Sequence, residues 1–118
     1  MFKKISNNKL GHLGEKLAST YYQNLAYELL GKNLNTPYGE IDLLLIKNNH
    51  IIIVEVKTRT SKYLGLPEEA ISKQKIRAIE NSWQWLQNKY NYPNLLVSIE
   101  ICSIQISGKK AKLQRFMI

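Results

Sequence analysis

Two apolar segments separated by an asparagine pair constrain the fold of this 118-residue chain more than any other feature. Residues 39–47 have the sequence GEIDLLLIK and residues 51–57 have IIIVEVK, and both are rich in strand-forming residues. Asn48 and Asn49 tolerate the positive φ angles that a tight hairpin turn requires. Because both runs are almost continuously apolar, the two strands need cover on both faces, which predicts helices packed on a sheet.

The flanking segments supply those helices and three more strands. Apolar residues at helical spacing predict a first helix over residues 10–25, capped by Asn7 or Asn8. Ser72 is expected to cap a second helix that runs to about Tyr90. The remaining strands are predicted at residues 27–34, 95–107 and 111–118. The chain is therefore expected to form one α/β domain, a mixed five-stranded sheet flanked by helices in the order α-β-β-β-α-β-β.

The net charge of the chain indicates which kinds of binding partner are expected. Seventeen lysines and arginines against nine acidic residues give a net charge of +8, which favours polyanions such as nucleic acid. A basic protein without such a partner has the same composition. A membrane surface is not expected, because no long helix carries lysines and arginines along one face opposite a bulky apolar face.

The sequence also bears on the compartment. No apolar stretch is long enough to span a bilayer, and the first ten residues lack the apolar core of a secretory signal. The single Cys102 cannot form an internal disulfide. A cytoplasmic protein is the expectation.

A charged pair interrupts the second apolar strand. Glu55 and Lys57 point to the same face of the strand because only Val56 separates them. A two-residue turn at the asparagine pair would place Asp42 opposite Glu55 and Glu40 opposite Lys57. Two carboxylates so close repel each other unless a shared proton, a neighbouring lysine or a divalent metal offsets the repulsion. A bulge in either strand would move Asp42 to the other face.

These residues match the ligands that a hard divalent cation prefers. Oxygen atoms from Asp42, Glu55 and the Val56 carbonyl would suit Mg²⁺ or Mn²⁺ better than zinc. Lys57 would lie beside a water activated by such an ion. The structural alternative is a set of solvated charges at a frayed strand end.

Two helical residues add to this pattern. Glu15 lies at the margin of the apolar stripe of the first helix, and Lys75 falls within the apolar sector of the second. Lys75 also lies in the first helical turn, where a cation opposes the helix dipole. Either residue could be structural, since an isolated glutamate is usually solvated and a lysine can extend to water. A lysine directed at the sheet would suit a phosphate or an activated water.

Together these residues resemble the PD-(D/E)xK nuclease signature, here Asp42-x12-Glu55-Val56-Lys57. The chain is similar over most of its length to the YraN family of small bacterial proteins, which resembles archaeal Holliday-junction resolvases. The likeness is carried by GHLGEKLA at 11–18, GEIDLL at 39–44, IVEVKTR at 53–59, Gly65, Ala70, Ile71 and Lys75.

The resemblance implies a restriction-endonuclease-like fold and a metal-dependent endonuclease that hydrolyses phosphodiester bonds in DNA, with branched or flapped structures as candidate substrates. It implies that Asp42 and Glu55 bind Mg²⁺ or Mn²⁺ and that Lys57 is the catalytic lysine. Glu15 would be an accessory acidic residue, and Lys75 would face the site. The likeness to resolvases also implies a homodimer.

Basic residues near these elements are candidate phosphate contacts, although any single one of them is more often an ordinary solvated charge. They are Lys3, Lys4, Lys9, Lys16, Arg59, Lys62, Lys73 and Arg77. The main alternative is a nucleic-acid-binding module that keeps the fold but has little or no cleavage activity. An RNA-directed nuclease is a third interpretation, because nothing in the sequence distinguishes ribose from deoxyribose.

The sequence departs from the family pattern at two places. Ala26 stands where the family tends to have glycine, so Asn24 or a strained residue must end the first helix. Ser98 stands where an arginine is common, which leaves the charge of Glu100 without a predicted partner.

Overall fold

The computed structural model describes residues 2–60 and 71–118, with side chains described from residue 9 onward. It contains two helices and five strands: α1 (Phe2–Asn24), β1 (Glu28–Thr36), β2 (Gly39–Lys47), β3 (His50–Arg59), α2 (Lys73–Tyr90), β4 (Leu96–Ser107) and β5 (Lys110–Met117). The predicted order α-β-β-β-α-β-β is confirmed. No helix within these residues is long and apolar enough to cross a membrane.

The predicted start of α1 is wrong. The helix begins at Phe2 instead of after Asn7 or Asn8. Its first turns contain no proline or glycine, and asparagine lowers helix propensity only moderately, so nothing there stops the helix. At the other end the helix stops at Asn24, and Ala26 has a φ of 71°. The family's glycine position is therefore occupied by a residue in the left-handed region, where an L side chain is strained.

The strands form a single sheet in the order β1-β2-β3-β4-β5. All neighbours are antiparallel except β3 and β4, which are parallel. Antiparallel β2 and β3 are joined by the predicted turn, in which Lys47 pairs with His50 while Asn48 and Asn49 have φ angles of 53° and 62°. Because β3 and β4 run in the same direction, their carboxyl ends lie at the same edge of the sheet.

Each face of the sheet is covered by one helix, as the continuous apolar runs predict. Ala18 and Tyr22 of α1 pack on one face, in a cluster that contains Leu43, Leu45, Ile52, Val54, Cys102 and Ile104. Ile79, Trp83 and Leu86 of α2 pack on the other, in a cluster that contains Ile41, Leu44, Ile51 and Ile53. The structure is thus an α/β sandwich with a mixed five-stranded sheet, consistent with a restriction-endonuclease-like fold.

A buried ion pair joins the last strand to the core. The Glu100 side chain is 3% exposed, and Arg115 of β5 donates to its two oxygens from Nε and one terminal nitrogen, each at 2.9 Å. The Tyr22 hydroxyl donates a third hydrogen bond at 2.9 Å. Burial, followed by the Glu100 charge, raises the pKa of Tyr22 well above its usual value. The sequence-based expectation that Glu100 lacks a partner is therefore wrong.

Replacing Arg115 by methionine should lower the free energy of unfolding by about 3 kcal/mol, because the Glu100 carboxylate would remain buried without its cation. Urea unfolding followed by circular dichroism measures this. Adding Glu100→Gln to the same chain should recover part of the loss. Lys112→Met, an exposed lysine on the same strand, should change stability by less than about 0.5 kcal/mol. Equal effects of Arg115→Met and Lys112→Met would contradict the role given to the ion pair.

Candidate functional site

The hairpin formed by β2 and β3 opens at the end away from its turn. The last paired residues are Leu43 and Val54, so the predicted Asp42–Glu55 pair lies just beyond the ladder. In the gap, Asp42 Oδ2 accepts a hydrogen bond from the Val56 backbone N–H at 2.8 Å. The Asp42 side chain thereby replaces a ladder hydrogen bond that the backbone of β2 no longer makes. The site begins where these two central strands separate.

Three carboxylates meet at this opening. Oxygen atoms of Glu15, Glu40 and Asp42 all lie within 4.8 Å of one another. Glu15 reaches the sheet from α1 with its side chain 19% exposed, while Glu40 is exposed at the start of β2. Glu40 was not among the predicted ligands. Its position two residues before Asp42 was the available signal, since residues two apart lie on the same side of a strand.

Asp42 is the most strongly perturbed acid of this group. Burial raises its pKa, and a hydrogen bond with Glu55 and the negative charge of Glu55 raise it further, to about 8. The Val56 N–H acts in the opposite direction, and Glu15 adds a smaller increase. The predicted repulsion between Asp42 and Glu55 therefore corresponds to a real proximity. These carboxylates are close enough that a proton or a cation lowers their energy.

Glu55 is buried on β3, and its charge is balanced by Lys75 of α2. The Lys75 Nζ lies 3.3 Å from Glu55 Oε2, with the lysine side chain 41% exposed. The position of Lys75 is set by the helix cap, because the Ser72 hydroxyl accepts its backbone N–H at 3.0 Å. Lys75 thus reaches the sheet from the first turn of α2.

Lys57 follows Glu55 on the same side of β3 and is half-buried. Within the described residues, Lys57 forms no ion pair or side-chain hydrogen bond. Its amine is therefore the basic group at this opening that the neighbouring carboxylates leave available. A lysine in that state can hydrogen bond to a phosphate oxygen or to a water molecule.

The first helix approaches this end of β3 closely. A Cβ atom added at Gly14 would overlap the hydroxyl of Thr58, so the helix backbone lies against the Thr58 side chain at a distance that only glycine permits. Glu15 is the next residue, and its carboxylate is placed beside Asp42 by this contact. Gly11, one turn earlier, has nothing within 4 Å of an added Cβ.

The candidate phosphate-contacting residues lie on several elements. Lys9 and Lys16 on α1, together with Lys73 and Arg77 on α2, are exposed, and Arg59 is half-buried at the end of β3. Lys3 and Lys4 lie in the first turns of α1. Lys62, Gly65 and Ala70 lie outside the described residues. Binding by these residues stays a prediction.

The donor set fits a hard divalent cation. All donors are carboxylate oxygens, which Mg²⁺ and Mn²⁺ prefer. In an octahedral Mg²⁺ site with bonds of about 2.1 Å, ligand oxygens lie about 3 to 4.2 Å apart. The oxygens of Glu15, Glu40 and Asp42, within 4.8 Å of one another, would need to approach by at most about 2 Å, which side-chain rotation can supply. The predicted ligand roles of Glu55 and of the Val56 carbonyl stay predictions.

The fold and the site define an α/β protein with a carboxylate-rich opening in the centre of a mixed sheet, flanked by two lysines. Comparison with known proteins then gives the family. Residues 14–116 match the model of the uncharacterised protein family UPF0102. The chain belongs to this family, which is the YraN family whose motifs the sequence carries.

Relatives from several bacteria match almost the full chain. A UPF0102 protein of Caldanaerobacter subterraneus subsp. tengcongensis is 34% identical over 113 residues, covering 96% of this chain and 93% of its own. One from Syntrophomonas wolfei is 35% identical, covering 94% and 96% respectively. One from Alkaliphilus oremlandii is 38% identical, covering 91% and 93%. The resemblance expected from the motifs is thereby confirmed at the level of the family.

Gly14→Ala should displace α1 from β3, because the new methyl group cannot share space with Thr58. We expect a loss of about 1–3 kcal/mol in the free energy of unfolding and weaker Mn²⁺ binding, since Glu15 moves with the helix. Gly11→Ala is the matched control: it has space for the methyl group and should stabilise the helix by up to about 1 kcal/mol. Chemical unfolding and isothermal titration with Mn²⁺ measure both effects. Equal behaviour of the two variants would refute the close contact.

Without divalent metal, stability should fall as pH rises from about 4 to about 8. Over this range the Asp42 carboxyl is ionised in the unfolded chain, with an ordinary pKa of 3.8, but retains its proton in the folded chain, where the pKa is about 8. Asp42→Asn removes the charge and keeps an oxygen for the Val56 N–H. At pH 8 this variant should be more stable than the wild type by at least about 1 kcal/mol.

At pH 4 the difference between Asp42→Asn and the wild type should be small, because Asp42 is protonated in the folded chain and half protonated in the unfolded one. Thermal unfolding across this pH range, in the presence of a chelator, gives the comparison. A constant difference between the two proteins from pH 4 to pH 8 would show that Asp42 does not titrate as described.

Proposed function

We propose that this protein is a metal-dependent endonuclease that hydrolyses phosphodiester bonds in DNA, including branched or flapped structures. The observation that carries the proposal is the position of Asp42 at the separation of β2 and β3, among Glu15, Glu40 and Glu55. Of these carboxylates Glu55 is buried, Glu15 and Asp42 are half-buried and Glu40 is exposed, and like charges held this close together are typical of a site that takes up a cation. The PD-(D/E)xK pattern of the family sequence supports the same function.

The residues of the site have separable roles in this proposal. Asp42, with Glu15 and Glu40, would hold Mg²⁺ or Mn²⁺, and Glu55 would join them as the motif implies. A bound ion of this kind lowers the pKa of water and stabilises charge on a phosphoryl oxygen. The Val56 N–H donates to Asp42 Oδ2 and fixes the orientation of the carboxylate.

The two lysines would serve different steps. Lys57, without an ion-pair partner among the described residues, would orient the attacking water or stabilise the charge that develops on the phosphate. Lys75 would set the orientation of Glu55 through the ion pair of 3.3 Å. Two strands are cut most simply by two sites, so we also propose a symmetric homodimer on the analogy with resolvases.

The second candidate function is DNA binding without cleavage. It is favoured by one observation: Lys75 already compensates the charge of Glu55, which is also what a site without metal would need. The net charge of +8 supports binding in both cases. The two functions differ in whether the carboxylates take up a divalent ion and in whether Lys57 has a chemical role.

Purified protein incubated with linear, flapped and four-way DNA in Mg²⁺ or Mn²⁺ should cut at least one of these substrates. Lys57→Ala and Asp42→Asn should each lower the cleavage rate by on the order of 100-fold or more, at DNA concentrations that saturate each variant. Lys32→Ala, an exposed lysine on β1, is the matched control and should cleave like the wild type. Gel analysis of end-labelled DNA gives the rates.

The outcomes separate the two functions. If the wild type and both variants are equally inert but all bind DNA, the binding module is correct. If cleavage persists unchanged in Asp42→Asn and Lys57→Ala, the activity does not come from this site. A parallel set of RNA substrates with the same sequences tests the ribose alternative, and preferential cleavage of RNA would overturn the assignment to DNA.

A further inference from the structure

On the sheet face that carries Glu55, the side chains of β4 change from apolar to polar along the strand. The residues of β4 on this face pair with Ile51, Ile53, Glu55, Lys57 and Arg59 of the parallel strand β3. They are apolar in the first half, Val97, Ile99 and Ile101, and polar in the second, Ser103 and Gln105. Ser107 continues the polar half beyond the last pair with β3. The change falls between the row of Glu55 and the row of Lys57. Beyond the candidate site the face is polar, with Ser103 buried, Gln105 half-buried and Ser107 exposed, so it suits a polar partner rather than the apolar side of a helix.

The edge strand β5 follows the same change. Phe116 pairs with Ile101, in the row of Glu55, and the next residues on this face are Gln114, Lys112 and Lys110. All three of these are exposed. On the opposite face β5 presents Leu113, which packs against the core. Lys110 and Lys112 thus lie on the face that carries Glu55.

The register of β3, β4 and β5 places these lysines in the same rows of paired residues as the end of β3. Arg59 pairs with Gln105, and Gln105 pairs with Lys112. Lys110 lies in the following row, opposite Ser107. We call the group of Lys57, Arg59, Lys110 and Lys112 the cationic sheet surface. Within the described residues of β3, β4 and β5, no acidic side chain lies on this face beyond the row of Glu55.

The second helix covers a different part of the face. Its buried residues Ile79, Trp83 and Leu86 pack in the cluster formed by β2 and β3. Val97 and Ile99, from the first half of β4, border that cluster. The described helix thus covers the apolar half, and the cationic sheet surface begins where the apolar half ends.

We propose that the cationic sheet surface binds the phosphate backbone of DNA that flanks the bond held at the carboxylate site. This inference rests on the proposed function and specifies its substrate-binding surface. The carboxylates of the site repel phosphates, so a separate set of cations must supply the affinity, and a surface with four cations complements a polyanion. With about 3.3 Å per residue along a strand and 4.8 Å between strands, Lys112 lies about 16 Å from Glu55, a distance of a few nucleotides.

The double variant Lys110→Gln/Lys112→Gln tests this surface. Both side chains are exposed, so folding should be unaffected, and circular dichroism verifies this. Fluorescence anisotropy of a labelled 30-base-pair duplex and of a four-way junction, in chelator and at several salt concentrations, gives the affinity. At 0.1 M salt we expect a loss of on the order of 10- to 100-fold, and a salt slope lower by about 2, because two phosphate contacts are lost.

The control is Lys32→Gln/Lys89→Gln, which removes the same charge from exposed lysines on β1 and on the last turn of α2. This variant should bind like the wild type. If both double variants lose the same affinity, net charge explains the result and the inference is overturned. If Lys110→Gln/Lys112→Gln binds like the wild type, the inference alone fails. If the wild type itself has no affinity for DNA, the proposed function fails with it.

Discussion

The hydrogen bond from the Val56 N–H to Asp42 Oδ2, at 2.8 Å, is the interaction on which the geometry of the site depends. It lets β2 leave β3 without exposing an unsatisfied backbone donor in the middle of the sheet. It also places a carboxylate in the gap, beside Glu55 on the same hairpin. The same hydrogen bond therefore accompanies both the separation of β2 from β3 and the close approach of Asp42 to Glu55.

The part of this site that lies within the hairpin could be predicted from sequence. The register follows from a two-residue turn at Asn48-Asn49, and the observed pairs from Lys47–His50 to Leu43–Val54 agree with it. The contact between Asp42 and Glu55 follows from the register alone. Such local relations are fixed by turn geometry and by side-chain alternation, so no knowledge of the remaining chain is needed.

Relations between distant segments could not be predicted in the same way. Glu100 takes its counter-charge from Arg115 and a hydrogen bond from Tyr22, which is 78 residues away. Both partners depend on which strands and helices become neighbours in the fold. The residue pattern of a single segment does not reveal those neighbours. The meeting of Glu15 with Glu40 likewise depends on how closely α1 approaches β3, which is determined by the absence of a side chain at Gly14.

The parallel pairing of β3 and β4 connects the site to the rest of the molecule. Because the two strands are parallel, the chain between them must return along a face of the sheet before β4 begins. The described part of this connection includes α2, which brings Lys75 to Glu55. Even so, within residues 9–60 and 71–118 four carboxylates lie at the opening, and two lysine amines, Lys57 and Lys75, lie beside them. Burial, followed by the neighbouring Glu55, raises the pKa of Asp42. With all six of these groups ionised, an excess of two negative charges remains. A single divalent cation would neutralise that excess, whereas a further lysine would not.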